Sequence, residues 1–275
     1  MSSSAGRAAA EQVLQLGVTI ARRLWPERLV AAYALGSLAH GGFSEHVSDI
    51  DLGLVLADTL EIQDAERVGE VGQQTRASGQ RLADRLSIFW GSPQILAGAA
   101  VGGRFPPVDL CDLRRFGRLL HGRDLRAQVR TPSSTELLVS GARFALARLA
   151  DPAVVRRVLD PTALAAANVR TLTKLVLFPV RLLFTARTGN VGLNADAVAH
   201  FAEREAPVVA QLALRALQWR ESPPRPIDVE GLLRAALRSL YLRFIAEFEQ
   251  RLSGVEEFAL AASFREWRRC LEETG

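Results

Sequence analysis

Apolar residues alternate with period two only in the first half of this chain, and from Ser133 onward leucine and alanine recur at helical spacing. One layer of structure cannot satisfy both patterns, so a mixed α/β unit must precede an all-helical one. The 275 residues suit two modest domains, and 48% hydrophobic residues give each a core. The pattern changes near Arg126 to Ser134, which sets the expected domains at 1–128 and 129–275. Within the back half, Asp160-Pro161, Thr188-Gly189 and Ser222 to Pro226 break the helical pattern. The apolar stretch Leu175 to Phe184 is too short to span a bilayer and carries Pro179 and Arg181. It is expected as a buried helix, with no membrane involvement.

The front half opens with an amphipathic helix over Ala5 to Trp25, on which Val13, Leu16, Ile20 and Leu24 share a face. Leu29 to Leu35 (LVAAYAL) is an apolar run with β-formers, expected as a buried strand ending at Gly36-Ser37. Ser48 to Leu56 alternates: Ile50, Leu52, Leu54 and Leu56 point one way, Asp49, Asp51, Gly53 and Val55 the other. Arg85 to Trp90 (RLSIFW) predicts a third strand, and Leu60 to Ala83 and Asp109 to Leu120 predict helices. The fold class is therefore α+β: a small mixed sheet flanked by helices, followed by a helical bundle.

The segment Gly36 to Asp51, GSLAHGGFSEHVSDID, carries the chemistry. Two carboxylates two residues apart on one strand project side by side, which is costly unless a cation lies between them. Magnesium suits that place, because it takes hard oxygen ligands and shares them with phosphates. Gly36 lets a backbone approach a triphosphate closely. Ser37 offers a hydroxyl and a backbone N–H to phosphate oxygens.

An apolar residue, Gly-Ser, a spacer and Asp-x-Asp together resemble the signature of the DNA polymerase β-like nucleotidyltransferase superfamily, matched at Leu35, Gly36, Ser37, Asp49 and Asp51. Thr171 to Ala202 is similar to the helical domain of aminoglycoside (streptomycin/spectinomycin) adenylyltransferases: an aromatic- and arginine-bearing helix, Thr-Gly, then a polar residue opening another helix. The resemblance implies a magnesium-dependent enzyme that moves a nucleoside monophosphate, with ATP the favoured donor, onto a hydroxyl acceptor and releases pyrophosphate. It places Mg2+ on Asp49 and Asp51 and the β- and γ-phosphates on Gly36 and Ser37, with the active site expected in the cleft between the two domains and the acceptor selected by the helical domain.

The chain departs from that pattern in two places. The superfamily carries a third carboxylate on a following strand, but Arg85 to Trp90 contains no acid and Ser87 stands at the expected position. Asp84 is the nearest substitute as third catalytic acid, although its strand parity matches Leu86. Asp109 and Asp112 are further acids, with Asp109 expected as a helix N-cap after Pro-Pro. Asn194 occupies the place of a nucleotide-contacting lysine, which leaves Lys174 and Arg187 to supply a phosphate contact. Two rival readings follow: modification of a protein or tRNA, or a non-catalytic nucleotide-binding module without the third carboxylate.

Composition excludes other classes. The two cysteines, Cys111 and Cys270, form no metal-binding spacing and fit a reducing cytoplasm. Lys174 is the only lysine, so the net charge of +4 is carried by arginine. No basic run with interleaved aromatics indicates nucleic acid. His40, His46 and Glu45 are expected as polar loop residues, and Arg114, Arg115 and Arg118 as a solvated helix face. Nucleotide-cradling Gly-x-x-x-x-Gly-Lys and dinucleotide fingerprints are absent from the sequence.

Overall fold

The computed structural model describes residues 4–273. The chain forms two compact units that meet in sequence between Pro132 and Ser133. The first begins with α1 (Ser4–Leu24) and β1 (Leu29–Leu35), followed by α2 (Gly36–His40), β2 (Ile50–Leu56) and α3 (Asp64–Ala77). It continues through β3 (Leu86–Gly91), α4 (Pro93–Ala97), α5 (Pro107–Phe116) and β4 (Arg118–Gly122). The sheet has the order β3-β2-β1-β4. Strand β1 runs antiparallel to β2 and β4, whereas β2 and β3 are parallel, so the sheet is mixed.

The period-two alternation decides what each face of the sheet covers. Ile50, Leu52, Leu54 and Leu56 pack with Val13, Leu14 and Val18 of α1 and Val71 of α3. Gly17 lets α1 settle there, since a Cβ at that position would lie 2.9 Å from Leu52 Cδ2. The opposite face brings Tyr33, Leu35 and Val55 together with Phe89 and with Leu110 and Leu113 of α5. Asp51 shares the parity of Val55, which puts it on the α5 side.

Several boundaries differ from the sequence expectation. Helix α3 stops at Ala77 rather than Ala83, and Gly79 follows with φ 68°. Helix α5 begins at Pro107 and ends at Phe116, because Gly117 packs its backbone onto the Leu113 carbonyl where a Cβ has no room. Residues 118–122, expected within that helix, form β4 instead. As an edge strand with mostly exposed side chains, it shows no apolar alternation to betray it.

The second unit contains α6 (Ser134–Arg148), α7 (Pro152–Leu159), α8 (Pro161–Ala165) and α9 (Val169–Thr188). It ends with α10 (Asn194–Ala202), α11 (Pro207–Trp219), α12 (Pro226–Gly254) and α13 (Phe258–Glu273). Helix α12 threads the core, with Leu237, Leu240, Tyr241, Phe244, Ile245 and Phe248 fully buried. Pro179 sits inside α9. Having no N–H, it cannot donate to the carbonyl of Leu175 four residues back. The buried Tyr241 hydroxyl donates to that carbonyl at 2.9 Å and satisfies it. Among the described residues, no helix is long and apolar enough to cross a membrane.

Candidate active site

The sheet register builds the site. Leu35, the last residue of β1, pairs with Asp51 near the start of β2, and Asp51 pairs in turn with Ser87 on β3. The Gly-Ser turn and the carboxylate therefore meet at one end of the sheet. Gly36 adopts φ 58°, a left-handed conformation open mainly to glycine. The site also requires glycine for space, because a Cβ there would run into Asp51 Oδ2. Ser37 follows in the first turn of α2, half-buried and within reach of solvent. Asp49 immediately precedes β2, and both it and Asp51 are half-buried.

Asp112 of α5 joins this arrangement. Its carboxylate is buried at 9% exposure, and Oδ2 accepts the Gly36 backbone N–H at 2.6 Å. Sequence reasoning named this acid but not its contact, which spans 76 positions. The available signal was an acid between Leu110 and Leu113, both of which α5 turns into the core. Asp109, by contrast, lies in the first turn of α5 after Pro106 and does not cap the helix. His40 stacks edge-on against Phe116, with ring centroids 5.6 Å apart, and the Arg115 guanidinium lies 5.1 Å from the same ring.

The other sequence candidates have these surroundings. Asp84 is exposed in a single 3-10 turn, Ala83–Arg85, just before β3. The residue beside Asp51 on β3 is Ser87. Glu45 pairs with Arg81. Arg114 donates to the Val129 carbonyl, and Arg118 grips both oxygens of Glu11 at 2.7 Å. In the helical unit, Lys174 lies 5.9 Å from the Phe178 ring centroid.

Arg187 is held at the centre of an ion-pair cluster. Its Nε and Nη2 donate to the two Glu247 oxygens at 2.9 and 2.8 Å, and Nη2 also donates to Glu205 at 2.7 Å. Arg251 and Arg243 add further contacts to Glu247, and Arg243 one to Glu205. Burial pushes the Glu247 carboxyl up, but hydrogen bonds from Arg187 and Arg251 outweigh it and hold the pKa at about 2. Among the described residues, no group of three or more His, Cys, Asp or Glu side chains is gathered to hold a metal.

Gly-Ser thus follows one strand of a small mixed sheet, Asp-x-Asp runs into the next, and a helical unit comes after, an α+β arrangement. No family model matches the chain, and no curated protein matches it in sequence. In fold it is similar to spectinomycin adenyltransferase AAD(9) from Enterococcus faecialis, solved with ATP and spectinomycin. The TM-score is 0.61 at 15% identity, covering 85% of this chain and 98% of that one.

Proposed function

We propose that this protein is a nucleotidyltransferase that moves AMP from ATP onto a hydroxyl acceptor and releases pyrophosphate. The observation that carries the reading is the convergence of Gly36, Ser37 and Asp51 at one end of the sheet, where Asp51 fills the space a Cβ at residue 36 would need. The fold shared with an adenyltransferase solved with ATP supports it.

The donor set suits magnesium. The ion keeps several waters and needs only one or two carboxylates besides phosphate oxygens, so Asp49 and Asp51 suffice without a third acid. When bound with the nucleotide, it would neutralise phosphate charge. Ser37 presents its N–H and hydroxyl to the β- and γ-phosphates, and the bare backbone of Gly36 permits their close approach. The acceptor oxygen forms a bond to the α-phosphorus while the bond to the bridging oxygen breaks. Pyrophosphate leaves with that oxygen, and the hydroxyl proton passes to solvent. Catalysis of this kind consists of positioning and charge stabilisation. Lys174 and Arg187 remain the candidates for a phosphate contact from the helical unit: Arg187 commits Nε and Nη2 to Glu205 and Glu247, whereas its Nη1 makes no hydrogen bond.

Ser87 beside Asp51 favours a second reading, a nucleotide-binding module without turnover. Incubation with labelled ATP, magnesium and a panel of hydroxyl-rich small molecules, proteins and tRNA separates the readings. Label on a small acceptor supports the first, label on a macromolecule moves the acceptor class to protein or tRNA, and binding without transfer supports the module.

A further inference from the structure

We propose that Asp112 is a positioning residue of the nucleotide turn: from α5 its carboxylate holds the Gly36 N–H and so sets how Ser37 meets the phosphates. The proposal rests on the nucleotidyltransferase reading above.

The start of a helix leaves backbone N–H groups in need of acceptors, and a Ser, Thr, Asp or Asn just before it ordinarily supplies one. The residue before α2 is Leu35, which has no side-chain oxygen and makes no cap bond. Asp112, 76 positions away, accepts the first of these N–H groups, that of Gly36, at 2.6 Å. A carboxylate as deeply buried as Asp112 is costly unless hydrogen-bonded, so the bond serves acid and turn alike. Leu110 and Leu113, on either side of it in α5, are locked in the core beneath the sheet, and this fixes the origin of the contact.

Gly36 is thus constrained from two directions. Asp112 takes its N–H, and Asp51 occupies the space over its Cα. The turn, with φ 58°, thus carries a hydrogen bond from its N–H on one side and a carboxylate against its Cα on the other. Ser37 is the next residue, so its N–H and hydroxyl take their direction from that turn. Asp112 need not touch the nucleotide for its loss to weaken nucleotide binding.

The test is calorimetric titration of ATP with magnesium into the full chain: wild type, Asp112→Ala, Asp112→Asn, Ser37→Ala and the Ser37→Ala, Asp112→Ala double variant. Circular dichroism confirms that each is folded at the titration temperature. Loss of a charge-assisted hydrogen bond predicts binding weaker by roughly tenfold in Asp112→Ala. Asp112→Asn keeps an acceptor oxygen and should lose about threefold or less, on the smaller net worth of a neutral hydrogen bond. The double variant should lose less than the two single losses combined, because the hydroxyl that Asp112 helps to aim is already gone in Ser37→Ala while the backbone N–H remains. If Asp112→Ala does not fold, Asp112→Ser takes its place with the same expected loss, being too short to span to Gly36. A folded Ala or Ser variant that binds like a binding-competent wild type, or additive losses in the double variant, overturns the proposal and leaves the nucleotidyltransferase reading standing. A wild type that binds no ATP with magnesium overturns both.

Discussion

Two clusters of charged side chains stand in contrast, one in each unit. In the helical unit, every oxygen of Glu205 and Glu247 accepts from an arginine, and Arg187 at the centre is 9% exposed. In the α/β unit, Asp51 and Asp112 close on a backbone turn, with Ser37 and Asp49 half-buried beside it. Acids saturated by guanidinium groups clamp helices together. Acids arranged around a glycine turn next to a reachable serine form the site proposed to hold nucleotide. The first arrangement suits stability and the second, on the proposed function, suits binding, so the two should fail differently.

The largest expected effect is on turnover. Asp49→Asn with Asp51→Asn should lower the rate of pyrophosphate release by on the order of a thousandfold, as removal of a metal clamp on a transferring phosphoryl group implies. The unfolding midpoint should hold or rise, because crowded carboxylates repel each other. A lost activity accompanied by a collapsed midpoint would move these acids into the structural class.

Glu247→Ala should do the reverse. Removing one partner of a buried ion pair costs about 3–5 kcal/mol, read by urea denaturation, with ATP affinity unchanged in the protein that remains folded. The pH dependence has a definite sign. The folded-state pKa of Glu247 lies at about 2, below its ordinary 4.5. Its contribution is therefore complete above pH 4.5 and fades as pH falls toward about 2. Glu247→Gln should flatten that part of the profile, and an unaltered acid limb in the variant would show that Glu247 does not drive it.

Gly36→Ala falls between the two classes. It forces an alanine into a left-handed conformation, costing about 1–2 kcal/mol, and drives a methyl group into Asp51. Binding of ATP with magnesium should weaken by roughly tenfold or more, the equivalent of about 1.4 kcal/mol or above. A variant with normal binding would mean that the turn is not part of the site.

An effect confined to stability should come from Tyr241→Phe, which takes away the donor to the Leu175 carbonyl where Pro179 has already removed one. The expected loss is about 1–3 kcal/mol of stability with no change in binding. A loss near zero would show that the carbonyl finds another donor.

The two clusters also differ in how far the sequence foretells them. Gly36-Ser37 and Asp49-x-Asp51 are legible because each lies in a local pattern at the end of an apolar strand, and strand parity puts Asp51 opposite the α1 side of the sheet. Asp112 is a plain acid in a helix until folding brings α5 beneath the sheet, so its bond to Gly36 has no local signature. The same holds for Arg187, Glu205 and Glu247, which come from different segments of the helical unit and carry no pattern linking them. Strand β4 escapes for another reason: an edge strand exposed to solvent has no need of alternation. Tyr241 and Leu175, on separate helices, are joined only by the gap that Pro179 leaves.

The central claim is that Asp49 and Asp51 form a magnesium-dependent nucleotide site. Calorimetric titration of ATP and GTP, with and without magnesium, into the wild type and the Asp49→Asn, Asp51→Asn double variant tests it most directly. The account predicts magnesium-dependent binding to the wild type, with ATP preferred, and none to a variant that remains folded. Equal magnesium-dependent binding by both proteins, or no binding of either nucleotide to the wild type, would contradict it.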